Sequence, residues 1–235
     1  MATIPESLLA IDIETASPHK EPSDFRDTSY FELVAVGLGY QAQPGESVET
    51  AVLFRNGGWE DEATSELLQR INDWRKERDV DAVLTHNGEQ FDEIHLKGWA
   101  QKVAKQGHWS NATEEFEDLF ENHIDLNPIA VEKYQDRLEA WRDSVKLEDV
   151  CEWENIDIEE TRYDDYEIGE LTEHESIDAS HVANTHIGKV LGEAYVQHQI
   201  RGTNDTQQFQ ELERLLQHYT EGDIEPLFQL ARRFS

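Results

Sequence analysis

Three short groups of side chains have the types and spacing for chemistry. Asp12 and Glu14 stand two apart at the end of an apolar run. On a strand, both would project to one face while Leu9, Ile11 and Ile13 take the other. Paired carboxylates repel unless a proton or cation lies between them, and hard divalent ions such as Mg²⁺ take oxygen ligands of this kind. The plain alternative is two acids fraying into a loop. The second group, His86 to Asp92, follows a buried run and opens a helix. Asn87-Gly88 suits the turn, Phe91 can plug the core beneath it, and Asp92 is favoured at a helix N-terminus, a role open to any helix-start aspartate. In the third group, Tyr219 and Asp223 are four apart and share a helix face. Gly222 between them costs roughly 1 kcal/mol relative to alanine inside a helix, which a close approach of another backbone or ligand would explain.

The elements that must position these groups follow from hydrophobic periodicity. Residues 8–13, 31–40, 50–54, 81–86 and 123–126 read as strands, the last closed by Asn127-Pro128. A helix is expected over 61–78, where Leu67, Leu68, Ile71 and Trp74 recur at helical spacing, and another over 91–105. Beyond these the pattern turns helical over 129–141, 147–153, 178–199 and 206–233, with the acid-rich stretch 152–175 as a surface excursion. Trp59, Trp74 and Trp141 are expected in the core or an interface. No repeat and no Pro/Gly linker divides the chain, so residues 1–235 read as a single mixed α/β domain.

Composition narrows the classes further. Fifty-one acidic residues against 20 basic ones give a formal charge of −31. Such self-repulsion destabilises a compact state at low salt and is screened where the Debye length falls to about 3 Å, in molar salt. The acids are spread along the chain, so a halophilic protein is expected over a nucleic-acid mimic or a binder of basic partners. The single Cys151 excludes an internal disulfide and a Cys-rich zinc module, and neither Cys151 nor Ser17 has the context of a nucleophile. No run approaches the ~18 apolar residues of a membrane span, and no basic leader precedes residue 8, so a cytoplasmic protein without membrane partners is expected.

In their order, the acidic pair on the first strand, NGxxFD after a central strand and YxxxD on a late helix resemble the DEDD 3′–5′ exonuclease superfamily, over Asp12 to Asp223. That resemblance implies an α/β, ribonuclease H-like fold, with a central mixed five-stranded sheet flanked by helices. Asn87 lies five before Asp92, as in the exonuclease domains of family B DNA polymerases, and HIDL at 123–126 and KLEDVCEW at 146–153 resemble the same subgroup. This favours Tyr219 over the adjacent His218 as the third-motif residue. The resemblance implies that Asp12, Glu14, Asp92 and Asp223 hold two Mg²⁺ or Mn²⁺ ions and that Tyr219 orients the attacking water. It further implies that Thr15, Asn87 and Phe91 contact substrate. The expected partner is nucleic acid, DNA ahead of RNA, together with replication or repair proteins. An RNA-processing exonuclease and a non-catalytic nucleic-acid-binding module are the alternatives. Residues 94–113 contain no acid and carry Lys97, Lys102 and Lys105, a strand-guiding surface with Trp99 or Trp109 to stack on a base. Alternatively, they form a core-facing helix whose lysines snorkel outward.

Overall fold

Strands β1 (Leu8–Ala16), β2 (Glu32–Gln41), β3 (Glu49–Phe54), β4 (Ala82–Thr85) and β5 (His123–Asp125) form one sheet in the order β3-β2-β1-β4-β5. The computed structural model describes residues 5–139, 141–177 and 179–235. β1 pairs antiparallel with β2 and β2 with β3, whereas β1–β4 and β4–β5 are parallel. The helices are α1 (Asp61–Lys76), α2 (Asp92–Gln106), α3 (Ala112–Leu119), α4 (Leu126–Lys133) and α5 (Leu147–Glu154), then the short α6 (Asn184–His186). A π-helical stretch, Ile187–Leu191, leads on to α7 (Gly192–Arg201), followed by α8 (Gln207–Gly222) and α9 (Ile224–Phe234). Among the described residues no helix is long and apolar enough to cross a membrane.

Alternation along β1 divides the core. Leu9, Ile11 and Ile13 pack with Leu67, Leu68, Ile71, Leu96 and Trp99 of α1 and α2. Leu8 and Ala10 face the other way, onto Leu126, Val150, Ile224, Leu227 and Phe228. Asp12 and Glu14 share the parity of Leu8 and Ala10, so the carboxylates point to the side where α9 packs. Buried Arg55 ties β3 to its neighbours, its guanidinium donating to the Leu33 carbonyl at 3.1 Å, the Thr64 hydroxyl at 3.0 Å and the Glu60 carbonyl at 3.0 Å.

Several boundaries differ from those read in the sequence. α3 was not expected: Phe116 and Leu119 bury on it, within eight residues that otherwise read as acid-rich surface. Asn127 and Pro128 lie in the first turn of α4 rather than closing β5, because the Asp125 carboxylate caps that helix at the Asn127 amide, 2.9 Å away. Proline is tolerated there, where its missing N–H has no partner to lose. Segment 206–233 is two helices meeting at Asp223. The 152–175 excursion is pinned by buried Tyr163 and Ile168. Residues 1–4, Ala140 of the expected 129–141 helix and Asp178 of the expected 178–199 helix lie outside the described residues.

Two glycines let α8 and α9 reach the sheet. A Cβ on Gly37 would stand 2.8 Å from Thr220 Cγ2, and one on Gly39 would stand 2.4 Å from Ile224 Cγ2. Gly222 has no such role: a Cβ there would meet the Glu159 carbonyl at an ordinary 3.8 Å. It ends α8, where the cost of glycine is smaller. Gly39→Ala is therefore expected to destabilise the fold by about 1–3 kcal/mol through overpacking, read by urea denaturation, whereas Gly222→Ala is expected to lie within about 0.5 kcal/mol of wild type.

Candidate metal centre

Asp12, Glu14 and Asp223 meet where β1 runs beneath the junction of α8 and α9, with one carboxylate oxygen from each lying within 4.8 Å of the others. Glu14 is buried and the other two are half-buried. The register slips at Glu14/Thr15, where Val34 of β2 has no opposite number on β1, and such a bulge re-aims neighbouring side chains. Buried Thr220 donates its hydroxyl to Glu14 Oε1 at 3.3 Å, linking α8 directly to the strand acid. Asp92, at the start of α2, is buried beside the cluster but outside the triad, its Oδ1 accepting the Ile13 amide at 3.0 Å. Tyr219 is half-buried on the side of α8 that faces the acids.

The electrostatics carry the mark of unneutralised crowding. Burial, with Asp223 and Asp92 nearby, pushes Glu14 up to about 8. Asp92 rises to about 7 through burial, opposed by the Ile13 amide, and Asp223 rises to about 7 through burial and the charge of Glu148. Asp12 is held well above the carboxylate range by burial and by Glu14, Asp92 and Asp223. No cationic side chain figures among the influences on these four groups. A convergent set of hard oxygen donors with no internal counter-charge fits divalent metal. Burial and the same acids hold the Tyr219 hydroxyl far above its ordinary value, so it stays protonated.

The turn that presents Asp92 is built around Asp125, which also caps α4 at the Asn127 amide. Its Oδ1 accepts the Asn87 amide at 2.7 Å and its Oδ2 the Glu89 amide at 3.0 Å. Asn87 takes a left-handed φ of 69°, which asparagine tolerates, and its side-chain oxygen accepts from Asn127 Nδ2 at 3.1 Å. A Cβ on Gly88 would strike Thr85 Oγ1 at 2.2 Å. Phe91 packs edge-on against Phe31 and His95, and Thr15 is half-exposed in the bulge.

The surface around the site differs from expectation. Lys97 pairs with Glu93 and Glu117 at 2.8 Å each and Lys102 with Asp61 at 2.6 Å, so neither offers a free charge. Lys105, exposed in the last turn of α2, sits thirteen residues beyond Asp92, about 20 Å along the helix. Trp99 is 1% exposed and donates to the Phe31 carbonyl at 3.3 Å, so it cannot stack on a base. Trp109 packs against Phe116. These residues follow the alternative reading, a helix with its acid-free face in the core. His218 turns away from the acids and bonds the Tyr166 hydroxyl at 2.6 Å. Cys151 is buried, its thiol pushed up to about 12 and inert at neutral pH. Glu148 on α5, given no role of its own within the KLEDVCEW stretch, acts electrostatically on Asp12, Asp223 and Tyr219.

The raised carboxylates give metal-free stability a definite pH dependence. Unfolded carboxylates titrate near 4, whereas folded Glu14, Asp92 and Asp223 hold their protons to about 7 or 8. The folded state therefore binds more protons across that window, and stability falls as pH rises through it. Thermal unfolding with chelator in about 2 M KCl is expected to show a lower midpoint at pH 8 than at pH 5. Glu14→Gln should flatten that fall, which separates the cluster from repulsion across the whole surface. Mn²⁺ added at pH 8 should raise the wild-type midpoint.

No family model matches this chain, and no curated protein does. Among solved structures it is similar to the family B DNA polymerase of Pyrobaculum calidifontis, with a TM-score of 0.56 and 15% identity, over 98% of this chain and 24% of the polymerase. Likeness to exonuclease I is looser, with a TM-score of 0.43 and 11% identity over 91% of this chain and 44% of that one. A zinc-bound complex of Escherichia coli exonuclease I with single-stranded DNA matches with a TM-score of 0.40 and 11% identity, over 88% of this chain and 42% of that one. The chain thus spans about a quarter of the polymerase and less than half of exonuclease I. At such identities the likeness speaks for the fold: α/β and ribonuclease H-like, a mixed five-stranded sheet flanked by helices.

Proposed function

We propose that this chain is a divalent-metal-dependent nuclease that removes nucleotides from the 3′ end of DNA. The observation that carries the reading is the meeting of Asp12, Glu14 and Asp223 within 4.8 Å, drawn from opposite ends of the chain. Asp92 stands beside them on the amide of Ile13.

Asp12, Glu14 and Asp223, with Asp92 adjoining, would hold two Mg²⁺ or Mn²⁺ ions. When bound, such ions neutralise the phosphodiester, acidify the attacking water and stabilise the leaving oxygen. The chain's own part is to hold the acids against their repulsion and to place the water. Tyr219 keeps its proton, so it orients that water as a hydrogen-bonding partner and does not act as the base. Thr220 holds Glu14 in register with α8. Thr15, Asn87 and Phe91 frame the substrate side, Asn87 and Phe91 through the turn that Asp125 fixes.

The experiment uses 5′-labelled DNA and RNA oligonucleotides of matched sequence, with Mg²⁺ or Mn²⁺, from about 0.1 to 3 M KCl. The expected result is a ladder shortening from the 3′ end, faster on DNA, and lost by at least ~100-fold in Asp12→Ala. Tyr219→Phe is expected to lose less, on the order of tenfold, because positioning is impaired while the metal ligands remain. Wild-type-like turnover by Asp12→Ala would overturn the assignment, and faster cutting of RNA would move the substrate. We also read the net charge of −31 as adaptation to salt: the thermal midpoint should rise between about 0.1 and 2 M KCl as the Debye length shrinks from about 10 to 3 Å.

A further inference from the structure

With Lys97 and Lys102 committed to carboxylates, a nucleic-acid strand needs positive surface elsewhere. A segment beside the site has the chemistry. Residues 134–146 join α4 to α5. Trp141 in this segment is 75% exposed, more than any other large apolar side chain among the described residues. This departs from the core or interface place read for it in the sequence. The Arg142 guanidinium lies 5.8 Å from its ring, and Arg137 lies 5.2 Å from the ring of Tyr134 and 5.3 Å from that of Trp153. Arg137, Arg142 and Lys146 are exposed and, among the described residues, have no carboxylate within ion-pair distance. By contrast Arg75, Lys76, Arg78 and Arg214 are all paired. Three basic and three acidic residues leave the segment neutral in a chain of −31.

The segment is also fastened to the site. Asn127 Oδ1 accepts the Val145 amide at 2.9 Å, and Asn127 Nδ2 donates to Asn87 in the turn that presents Asp92. Val145 and Leu138 pack into the core beneath. At its far end α5 begins, and Glu148 on its first turn acts on Asp12 and Asp223. Five residues separate Trp141 from Leu147, so the two lie at most about 20 Å apart. At 3.4 Å per stacked nucleotide that is no more than about six nucleotides.

We propose that segment 134–146 guides a single strand of nucleic acid toward the acidic cluster, with Trp141 stacking on a base upstream of the 3′ end and Arg137 and Arg142 meeting the flanking phosphates. The proposal rests on the nuclease reading. An exposed indole beside an unpaired guanidinium, with a second guanidinium four residues away in the chain, is the pairing that sequence-tolerant single-strand binding uses, and a strand held there would have its 3′ end within reach of the acids.

The test compares kcat/KM on a single-stranded 12-mer of thymidine with kcat/KM on the thymidine dinucleotide, which has no base or phosphate beyond the nucleotide that adjoins the scissile bond. Trp141→Ala is expected to lower the 12-mer to dinucleotide ratio about tenfold, within the range for loss of one stacked base. Trp141→Phe, which keeps a stacking ring, should stay within about twofold of wild type. The double variant Arg137→Ala/Arg142→Ala should reduce the slope of log affinity against log salt by about 1.4, two phosphate contacts' worth. An unchanged ratio in Trp141→Ala, or a Phe variant as impaired as the Ala variant, overturns the proposal while leaving the nuclease reading intact. If wild type cuts neither substrate at any salt, the nuclease reading falls. The segment is then judged by binding of the 12-mer alone: quenching of tryptophan emission that Trp141→Ala abolishes upholds it, and absence of binding overturns it.

Discussion

The repulsion among crowded, buried and half-buried carboxylates is the constraint to which the rest of the fold answers. Asp12, Glu14, Asp92 and Asp223 sit where burial disfavours their charge; Glu14, Asp92 and Asp223 make Asp12 harder to ionise, and Asp223 and Asp92 do the same to Glu14. A chain holds such groups together only if packing elsewhere over-determines their positions. Here that packing is the seating of α8 and α9 on β2, where Gly37 and Gly39 leave room for Thr220 and Ile224. Ile224, Leu227 and Phe228 then bury against β1 and its helices. The apolar face of α9 thus bears the cost of bringing Asp223 to the strand acids, and Thr220 pins Glu14 in place.

A second framework serves the fourth acid. Asp92 depends on a turn with one left-handed asparagine and one glycine that admits no Cβ. Asp125 collects the amides of that turn together with the first amide of α4. One carboxylate therefore organises the end of β4, the start of α2 and the start of α4. Buried, it accepts backbone N–H bonds from that turn and from α4, whereas Asp92 accepts the Ile13 amide and Glu14 the Thr220 hydroxyl. Residue type does not distinguish the two roles; the hydrogen-bond partners do.

This difference marks how far the sequence could be read. The strands, α1, α2 and the three motifs were legible because each rests on local periodicity or a short pattern. Convergence of Asp12 with Asp223 was inferred only from resemblance, since no local signal carries a distance across the fold. Thr220 was passed over, and the grip of Asp125 on the 87–89 amides with it, because these contacts join partners distant in the chain. The acid-free stretch 94–113 misled in the opposite direction: its lysines look unopposed in sequence, but Glu117 and Asp61 reach them from neighbouring helices. Trp141 was grouped with Trp59 and Trp74 because apolarity alone does not say which indole finds a pocket.

Salt links the surface to the site. At a Debye length of about 3 Å, charges farther apart than an ion pair scarcely feel one another, so a net charge of −31 neither unfolds the chain nor repels a polyanion at a distance. The same screening removes long-range steering, and phosphate contacts lose the counterion-release contribution that dominates at low salt. Stacking on an aromatic ring loses far less, because apolar association is not weakened by screening and is strengthened by salting-out ions. A nuclease working under those conditions would gain little from a helix lined with lysines. It would gain more from an exposed indole, and residues 134–146 present one on a segment fastened to the turn that carries Asp92.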